Sequence, residues 1–182
     1  MGLVYIASAT ASSSATLEFT SGIDSTYNEY QWHCVNMHPA TNNVNFTFQV
    51  NASDDTGGGF DTSVITSTAF RAYHKEDGTG ATLGYDGGSD QAQAAGYQRI
   101  LSTGTGSDND QCVSGVLTIY APSSTTYVKH FTAVGNGSDH GEYTVNSFTG
   151  GYINQTLAIP EISFKFSSGN IDAGSIHMYG VG

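Results

Sequence analysis

Apolar and polar residues alternate with a period of two along most of this chain. The clearest case is Asn43–Asn51, where valines and phenylalanines alternate with Asn45, Thr47 and Gln49. A period of two is typical of a β-strand with one buried face. We therefore predict a strand here, with the three polar residues facing outward.

The same pattern occurs on both sides of a Ser-Ser-Gly-Asn turn. Ile159–Ser167 precedes the turn and Ile176–Val181 follows it, and both segments alternate. Two alternating segments joined by a short glycine-containing connection are typical of an antiparallel hairpin. We predict such a hairpin at this point, with one face buried.

Alternating segments separated by turn residues recur along the whole chain, which predicts about 10–12 short strands. No segment has a convincing helical period; the strongest candidate is a single helical turn near Ser89 or Asp90, capped by one of these residues. The 182 residues suit one domain, residues 1–182. We predict an all-β, antiparallel, jelly-roll-like β-sandwich. The predicted strands are Leu3–Ser8, Ala15–Thr20, Tyr27–Met37, Asn43–Asn51, Val64–His74, Tyr97–Leu101, Val113–Ala121, Thr126–Val134, Glu142–Phe148, Tyr152–Ile159, Ile162–Phe166 and Ser175–Val181.

The charge balance argues against two classes of partner. The chain has five basic and sixteen acidic residues, a formal net charge of -11. Nucleic-acid binding depends on Lys and Arg at phosphates, so we predict no nucleic-acid partner. No apolar run reaches about 18 residues and no cationic leader precedes the first strand, so we predict neither membrane insertion nor a signal peptide.

Cys34 and Cys112 are the only cysteines, and we interpret them as small buried side chains. A disulfide between them stays open, because connectivity does not follow from sequence.

The acidic residues are candidates for two roles, as catalytic groups and as calcium ligands. A glycosidase needs two carboxylates held rigidly about 5–9.5 Å apart. The strand residues Glu18, Glu29, Glu142 and Glu161 are solitary, and the clustered acids lie in glycine loops. These loops have hard oxygen ligands for calcium, although ordinary turn chemistry explains them as well. The two candidate loops contain Asp54, Asp55 and Asp61 around Gly57–Gly59, and Asp108, Asn109 and Asp110.

Histidines and tyrosines complete the candidate chemistry. No two histidines stand at i, i+2 or i+4 on one element, so we predict no zinc or nickel site. Because the chain shows no catalytic constellation, we also predict no other cofactor and no enzymatic activity. Eleven tyrosines are many for this length and suit either strand packing or a surface that contacts proteins or sugars. The six histidines are His33, His38, His74, His130, His140 and His177.

Several stretches spread over nearly the whole chain carry a family resemblance: Ala7–Tyr27, Val35–Thr41, Phe70–His74, Gln98–Ile100, Pro122–Phe131 and Phe166–Gly180. The most telling is the final Ser-Gly-Asn-Ile…Tyr-Gly segment. Together they resemble small structural or tail-fibre-like virion proteins of marine and aquatic tailed bacteriophages. The resemblance implies a β-sandwich displayed on a particle, often as a symmetric oligomer, and it transfers no catalytic residues.

The expected function is therefore that of a virion structural protein. We expect a protein made in the host cytoplasm and assembled on the particle exterior, where it decorates or cements the capsid. Its expected partners are copies of itself, as a homotrimer, and a major capsid or tail protein.

The alternative is a receptor-binding adhesin at a tail-fibre or spike tip, which recognises a host surface glycan or protein. Glycine- and asparagine-rich loops would form its binding surface. They are Asp54–Asp61, Lys75–Gly96, Ser102–Asp110 and Asn136–Gly141.

Overall fold

The computed structural model describes residues 2–53, 59–60, 63–101 and 103–182. The regular secondary structure in those ranges consists entirely of β-strands. The strands form two antiparallel sheets packed as a sandwich, which confirms the prediction of an all-β antiparallel sandwich. In chain order they are β1 (Leu3–Thr10), β2 (Leu17–Phe19), β3 (Glu29–Pro39), β4 (Phe46–Asn51), β5 (Ile65–Lys75), β6 (Ala81–Tyr85), β7 (Gln98–Arg99), β8 (Val113–Tyr120), β9 (Lys129–Ser138), β10 (Tyr143–Ile153), β11 (Glu161–Phe166) and β12 (Ile171–Val181).

The two sheets differ in size. The large sheet has eight strands in the order β1-β12-β3-β8-β9-β10-β5-β6, and the small sheet has four in the order β2-β11-β4-β7. The four strands β9, β10, β5 and β6 form one side of the large sheet, called the extension below. Each sheet has an inner face, turned toward the core, and an outer face.

The predicted hairpin between the last two strands is wrong. β11 pairs with β2 and β4 in the small sheet, whereas β12 pairs with β1 and β3 in the large sheet. The Ser-Ser-Gly-Asn connection therefore crosses between the sheets. Alternation shows only that each strand has one buried face, and it is equally compatible with two strands that face each other across a core.

Large aromatic side chains from both sheets fill the core. Trp32 of β3 is fully buried, and its ring lies 6.4 Å from that of Tyr30 and 6.5 Å from that of Phe164 on β11. Phe48 of β4 meets Phe131 of β9 edge to face at 5.2 Å. Aromatic rings bury more apolar area than other side chains, so these contacts across the core hold the two sheets together.

The inner face of the extension is covered by the segment that leads into and out of β7. Ser67 of β5 donates a hydrogen bond to Gln98 Oε1 at 2.6 Å. The Gly135 and Gly137 backbones of β9 lie against Ile100 and Leu101, which are buried. Irregular chain thus covers the inner face of the extension, whereas its outer face is exposed.

The prediction that Thr47 and Gln49 face outward to solvent is wrong, because β4 is buried on both faces. Gln49 Nε2 donates to the carbonyl oxygens of Ser63, Ala95 and Gly96 at 3.2, 3.0 and 3.1 Å. A buried amide is stable only when it is hydrogen-bonded, and these loop carbonyls meet that need. Alternation identified the two faces of the strand but not the loop that covers the second one.

Three further features differ from the prediction. The predicted strands Glu142–Phe148 and Tyr152–Ile159 are one strand, β10, which runs through Gly150 and Gly151 and ends at Ile153. β6 lies in a stretch for which no strand was predicted. The predicted helical turn near Ser89 is a tight turn in which the Ser89 amide donates to the Asp86 carbonyl at 3.1 Å.

No helix in the described ranges has the length and apolar character needed to span a membrane.

Candidate functional site

The outer face of the large sheet carries an apolar row that crosses five neighbouring strands. Tyr85 of β6 lies opposite Phe70 of β5, which lies opposite Phe148 of β10. Phe148 lies opposite Val134 of β9, and Val134 lies opposite Val116 of β8. The Phe70 and Phe148 rings are stacked 4.9 Å apart, at 10° to each other. Since opposite residues share a face, this row is one continuous surface, called the apolar row below.

Exposed large hydrophobic side chains are concentrated on this face. Apart from Val4 and Tyr127, all those in the described ranges alternate with inward-facing residues and lie on the outer face of the large sheet. Contiguous exposed apolar patches are uncommon on monomers and mark interaction surfaces. The residues are Leu3, Tyr5, Val35, Phe70, Leu83, Tyr85, Tyr120, Val134 and Phe148.

The outer face of the extension and of β8 is also free of permanent charge. Over strands β5, β6, β8, β9 and β10, which are described in full, no outward-facing residue is Asp, Glu, Lys or Arg. The described acidic residues lie in loops, at strand ends or on the small sheet. In a chain with a net charge of -11, this separation leaves one large uncharged surface.

Two histidines form a pair on the same face that sequence spacing did not reveal. His33 of β3 and His177 of β12 lie directly opposite each other, and the His33 ring lies 4.9 Å from the Tyr179 ring. His74 and His130 also face outward, on β5 and β9. Spacing within a single element cannot reveal this pair, because it is formed across two strands.

A chain of hydrogen bonds shows which ring nitrogen of His33 carries a hydrogen. Gln31 Nε2 donates to the Glu29 carboxylate at 2.8 Å, so Gln31 Oε1 faces His33 Nε2 at 3.0 Å. His33 Nε2 therefore carries the hydrogen. Burial, and then the proximity of His177, lower the pKa of His33 below its ordinary value, so the neutral ring is favoured in the folded chain. Because this pKa is depressed, the neutral His33 ring makes its full contribution to the free energy of unfolding above about pH 6.5, and this contribution is lost as the pH falls below that value.

The candidate catalytic carboxylates are dispersed. Each takes part in a separate hydrogen bond: Glu29 accepts from Gln31, Glu161 accepts from Asn51 at 2.9 Å, and Glu18 accepts from Ser163 at 3.4 Å. Glu142 lies in the turn between β9 and β10. The structure does not bring them together in one cleft.

The calcium candidates divide into two groups. Asp54, Asp55 and Asp61 lie outside the described residues. Asp108, Asn109 and Asp110 form an exposed turn, closed by a hydrogen bond from the Gln111 amide to the Asp108 carbonyl at 2.8 Å. Within the described ranges, no three His, Cys, Asp or Glu side chains are placed to hold a metal ion.

Both cysteines are free thiols, so no disulfide joins them. Cys34 is buried on the inner face of β3, which confirms that interpretation, whereas Cys112 is only half-buried. Burial raises the pKa of both thiols and therefore suppresses the reactive thiolate.

We expect a thiol reagent to label Cys112 slowly in the native protein and Cys34 only after unfolding, because only Cys112 is in contact with solvent. Labelling followed by mass spectrometry, with and without urea, checks this. Cys112→Ser is the control and should abolish native labelling. Equal labelling of both thiols in the native state would show that β3 is not packed as described.

A cleft of about 260 Å³ opens on the inner side of the extension, where β5 and β10 project beyond the covering loop. The Tyr73 and Tyr143 rings meet edge to face at 5.3 Å, and the Arg71 guanidinium lies 5.6 Å from the centre of the Tyr73 ring. The Asp139 carboxylate accepts from Thr103 and from the Gly141 amide, so it stabilises the turn after β9. The cleft therefore has aromatic walls with polar groups at the rim.

Comparison of the chain with models of protein families, with curated proteins and with solved structures finds no match.

Proposed function

We propose that this chain is a non-enzymatic structural protein on the outside of a tailed-bacteriophage particle, where it decorates or cements the capsid. The observation that carries the proposal is the outer face of the extension and of β8, which has no permanent charge and carries the apolar row. An exposed surface of this kind is suited to permanent packing against other subunits, since burying it removes apolar area from water without leaving charges unpaired. The phage setting comes from the sequence resemblance described above.

The order of the strands supports the proposal. We infer a jelly roll, formed by β1-β12-β3-β8 in one sheet and β2-β11-β4-β7 in the other. Successive strands of this jelly roll alternate between the sheets, except that β4 is followed by its neighbour β7 in the small sheet. The hairpins β5–β6 and β9–β10 are then insertions that build the extension. Jelly rolls are common in viral capsid proteins and in lectins.

Mass spectrometry of purified particles tests the proposal. We expect peptides of this chain in separated heads, at an abundance comparable to that of other structural proteins. Heads without this protein would contradict the decoration role. Separated tails from the same preparation are the matched control, because enrichment there would favour the second candidate.

The second candidate is a receptor-binding adhesin, and the cleft beside Tyr73 and Tyr143 favours it. Aromatic rings with polar groups at their edges suit sugar rings, which have apolar faces and peripheral hydroxyls. Of the loops considered for binding, Lys75–Gly96 contains β6, and Asn136–Gly141 begins inside β9 and contributes the cleft residue Asp139.

Binding of labelled protein to host cells tests the adhesin. We expect Tyr73→Ala to abolish binding if the cleft is the receptor site, while Tyr127→Ala, which removes an exposed tyrosine elsewhere, should leave it intact. Failure of the unmodified protein to bind host cells would contradict this candidate.

A further inference from the structure

We propose that two copies of this chain pack against each other through the outer face of the large sheet, and that protonation of His33 separates them. The inference rests on the proposed structural role, and it adds the partner and the condition under which the contact forms. Four features of the molecule support it: the distribution of charge, the size of the face, its shape and the histidine pair.

The distribution of charge identifies the partner. Two molecules with a net charge of -11 repel each other in most orientations. The exception is an approach along the outer face of β5, β6, β8, β9 and β10, which has no permanent charge. A partner that covers this face must itself be uncharged and apolar there, because charges left unpaired in a contact are costly. A second copy of the chain has such a surface.

The size of the face fits a stable pair. Eight strands about 4.8 Å apart and each about 27 Å long cover on the order of 1,000 Å², and the five strands without permanent charge make up more than half of this area. A typical stable interface buries about 800 Å² on each partner. Two sheets can also stack face to face at about 10 Å, as they do inside a sandwich, so the contact needs no rearrangement of the backbone.

The shape of the face is self-complementary. Between β9, β10 and β5 a hollow of about 350 Å³ lies above Gly150, bordered by Phe70, Val134 and Phe148. At the edge of the same face Leu83 protrudes and is 71% exposed. A two-fold axis places the same patch on both partners, so a protruding side chain of one copy can enter the hollow of the other and the reverse.

The histidine pair makes the contact sensitive to pH. Facing His33 and His177, the titratable groups are Glu29, which is reached through Gln31, Tyr179 on β12 and Tyr5 on β1. From β8, the residue opposite His33 is Val116, which does not titrate. The one carboxylate is held by Gln31, so a protonated His33 ring covered by a partner would lack sufficient countercharge. Association should therefore be complete above about pH 6.5 and be lost as the pH falls.

Sedimentation velocity over a dilution series tests the contact. At about pH 8, where the His33 ring is neutral, we expect a species with the mass of a dimer; at about pH 5 we expect a monomer. A monomer at both pH values overturns the inference. So does a trimer, the oligomer expected from the sequence, because two faces that cover each other leave no place for a third copy.

Two substitutions matched in chemistry and exposure locate the contact. Val134 in the apolar row and Val4 on β1, which lies outside it, are both 44% exposed. We expect Val134→Asp to weaken association at least tenfold, since it places a charge in a covered apolar surface, and Val4→Asp to leave it unchanged. Phe148→Ser is a second variant in the row, in case Val134→Asp fails to fold. Equal effects of the row and control substitutions overturn the inference.

The variant His33→Gln tests the switch. Glutamine has no charge at any pH, so this variant should associate more strongly at about pH 5 than the unmodified chain does. Equal association of the variant and the unmodified chain at pH 5 overturns the role of His33. These outcomes are separate from the test of the proposed function, because a chain that stays monomeric in solution can still be found in purified heads.

Discussion

Replacing Trp32 with alanine should lower the free energy of unfolding by about 3–5 kcal/mol, because a fully buried aromatic side chain is lost and a cavity remains. Trp32 is buried between the sheets, next to Tyr30 of its own strand and Phe164 of the small sheet. Urea unfolding followed by circular dichroism measures this change. Fluorescence is unsuitable, since Trp32 is the only tryptophan.

The control is Trp32→Phe. The indole Nε1 of Trp32 is buried and finds no hydrogen-bond partner among the described residues. Phenylalanine keeps an aromatic ring and removes this unsatisfied donor, so its cost should stay below about 1.5 kcal/mol. If Trp32→Ala costs as little as Trp32→Phe, Trp32 does not join the two sheets and the described core is wrong.

Replacing Gly115 with alanine should destabilise the protein by about 1–3 kcal/mol through overpacking at the seam between the sandwich and the extension. Gly115 of β8 lies opposite Gly135 of β9, and an added Cβ atom would stand 2.4 Å from the Val134 carbonyl oxygen. Backbone atoms cannot rotate away, so β8 and β9 must move apart. Hydrogen exchange of the β8 and β9 amides, together with urea unfolding, measures the loosened pairing.

Gly84→Ala is the matched control. Gly84 also lies in a strand, β6, but an added Cβ atom would have no described atom within 4 Å. This substitution should therefore leave stability unchanged. If Gly115→Ala is as harmless as Gly84→Ala, the close approach of β8 and β9 is not real, and neither is the continuous outer face that depends on it.

The fold class and most strands could be predicted from sequence because alternation is a local property. β8 begins where predicted, at Val113, and ends one residue early, at Tyr120. The polarity of β12 was also correct, with Ile176 and Met178 buried. Each of these predictions needs only neighbouring residues and the geometry of a strand.

The failures share one cause, which is dependence on distant chain. β11 and β12 have the pattern of a hairpin, and only their partners place them in different sheets. Gln49 has the position of an outward polar residue, and only the carbonyls of Ser63 and the loop after β6 make it a core residue. Sequence spacing contains no information about such partners.

The candidate site was hidden for the same reason. The chain showed Phe70, Val134 and Phe148 as separate apolar residues on separate strands, and the strand register places them side by side. His33 and His177 are likewise distant in sequence and opposite in space. An interaction surface on a sheet is a property of strand order and register, which alternation does not specify.

Immunogold labelling of intact particles tests the central claim most directly, namely that this chain is an exterior structural subunit. Antibodies raised against the folded protein should place gold on the outside of the head, over its whole surface. Gold confined to a tail tip, or particles without any label while purified protein is labelled, would contradict the claim.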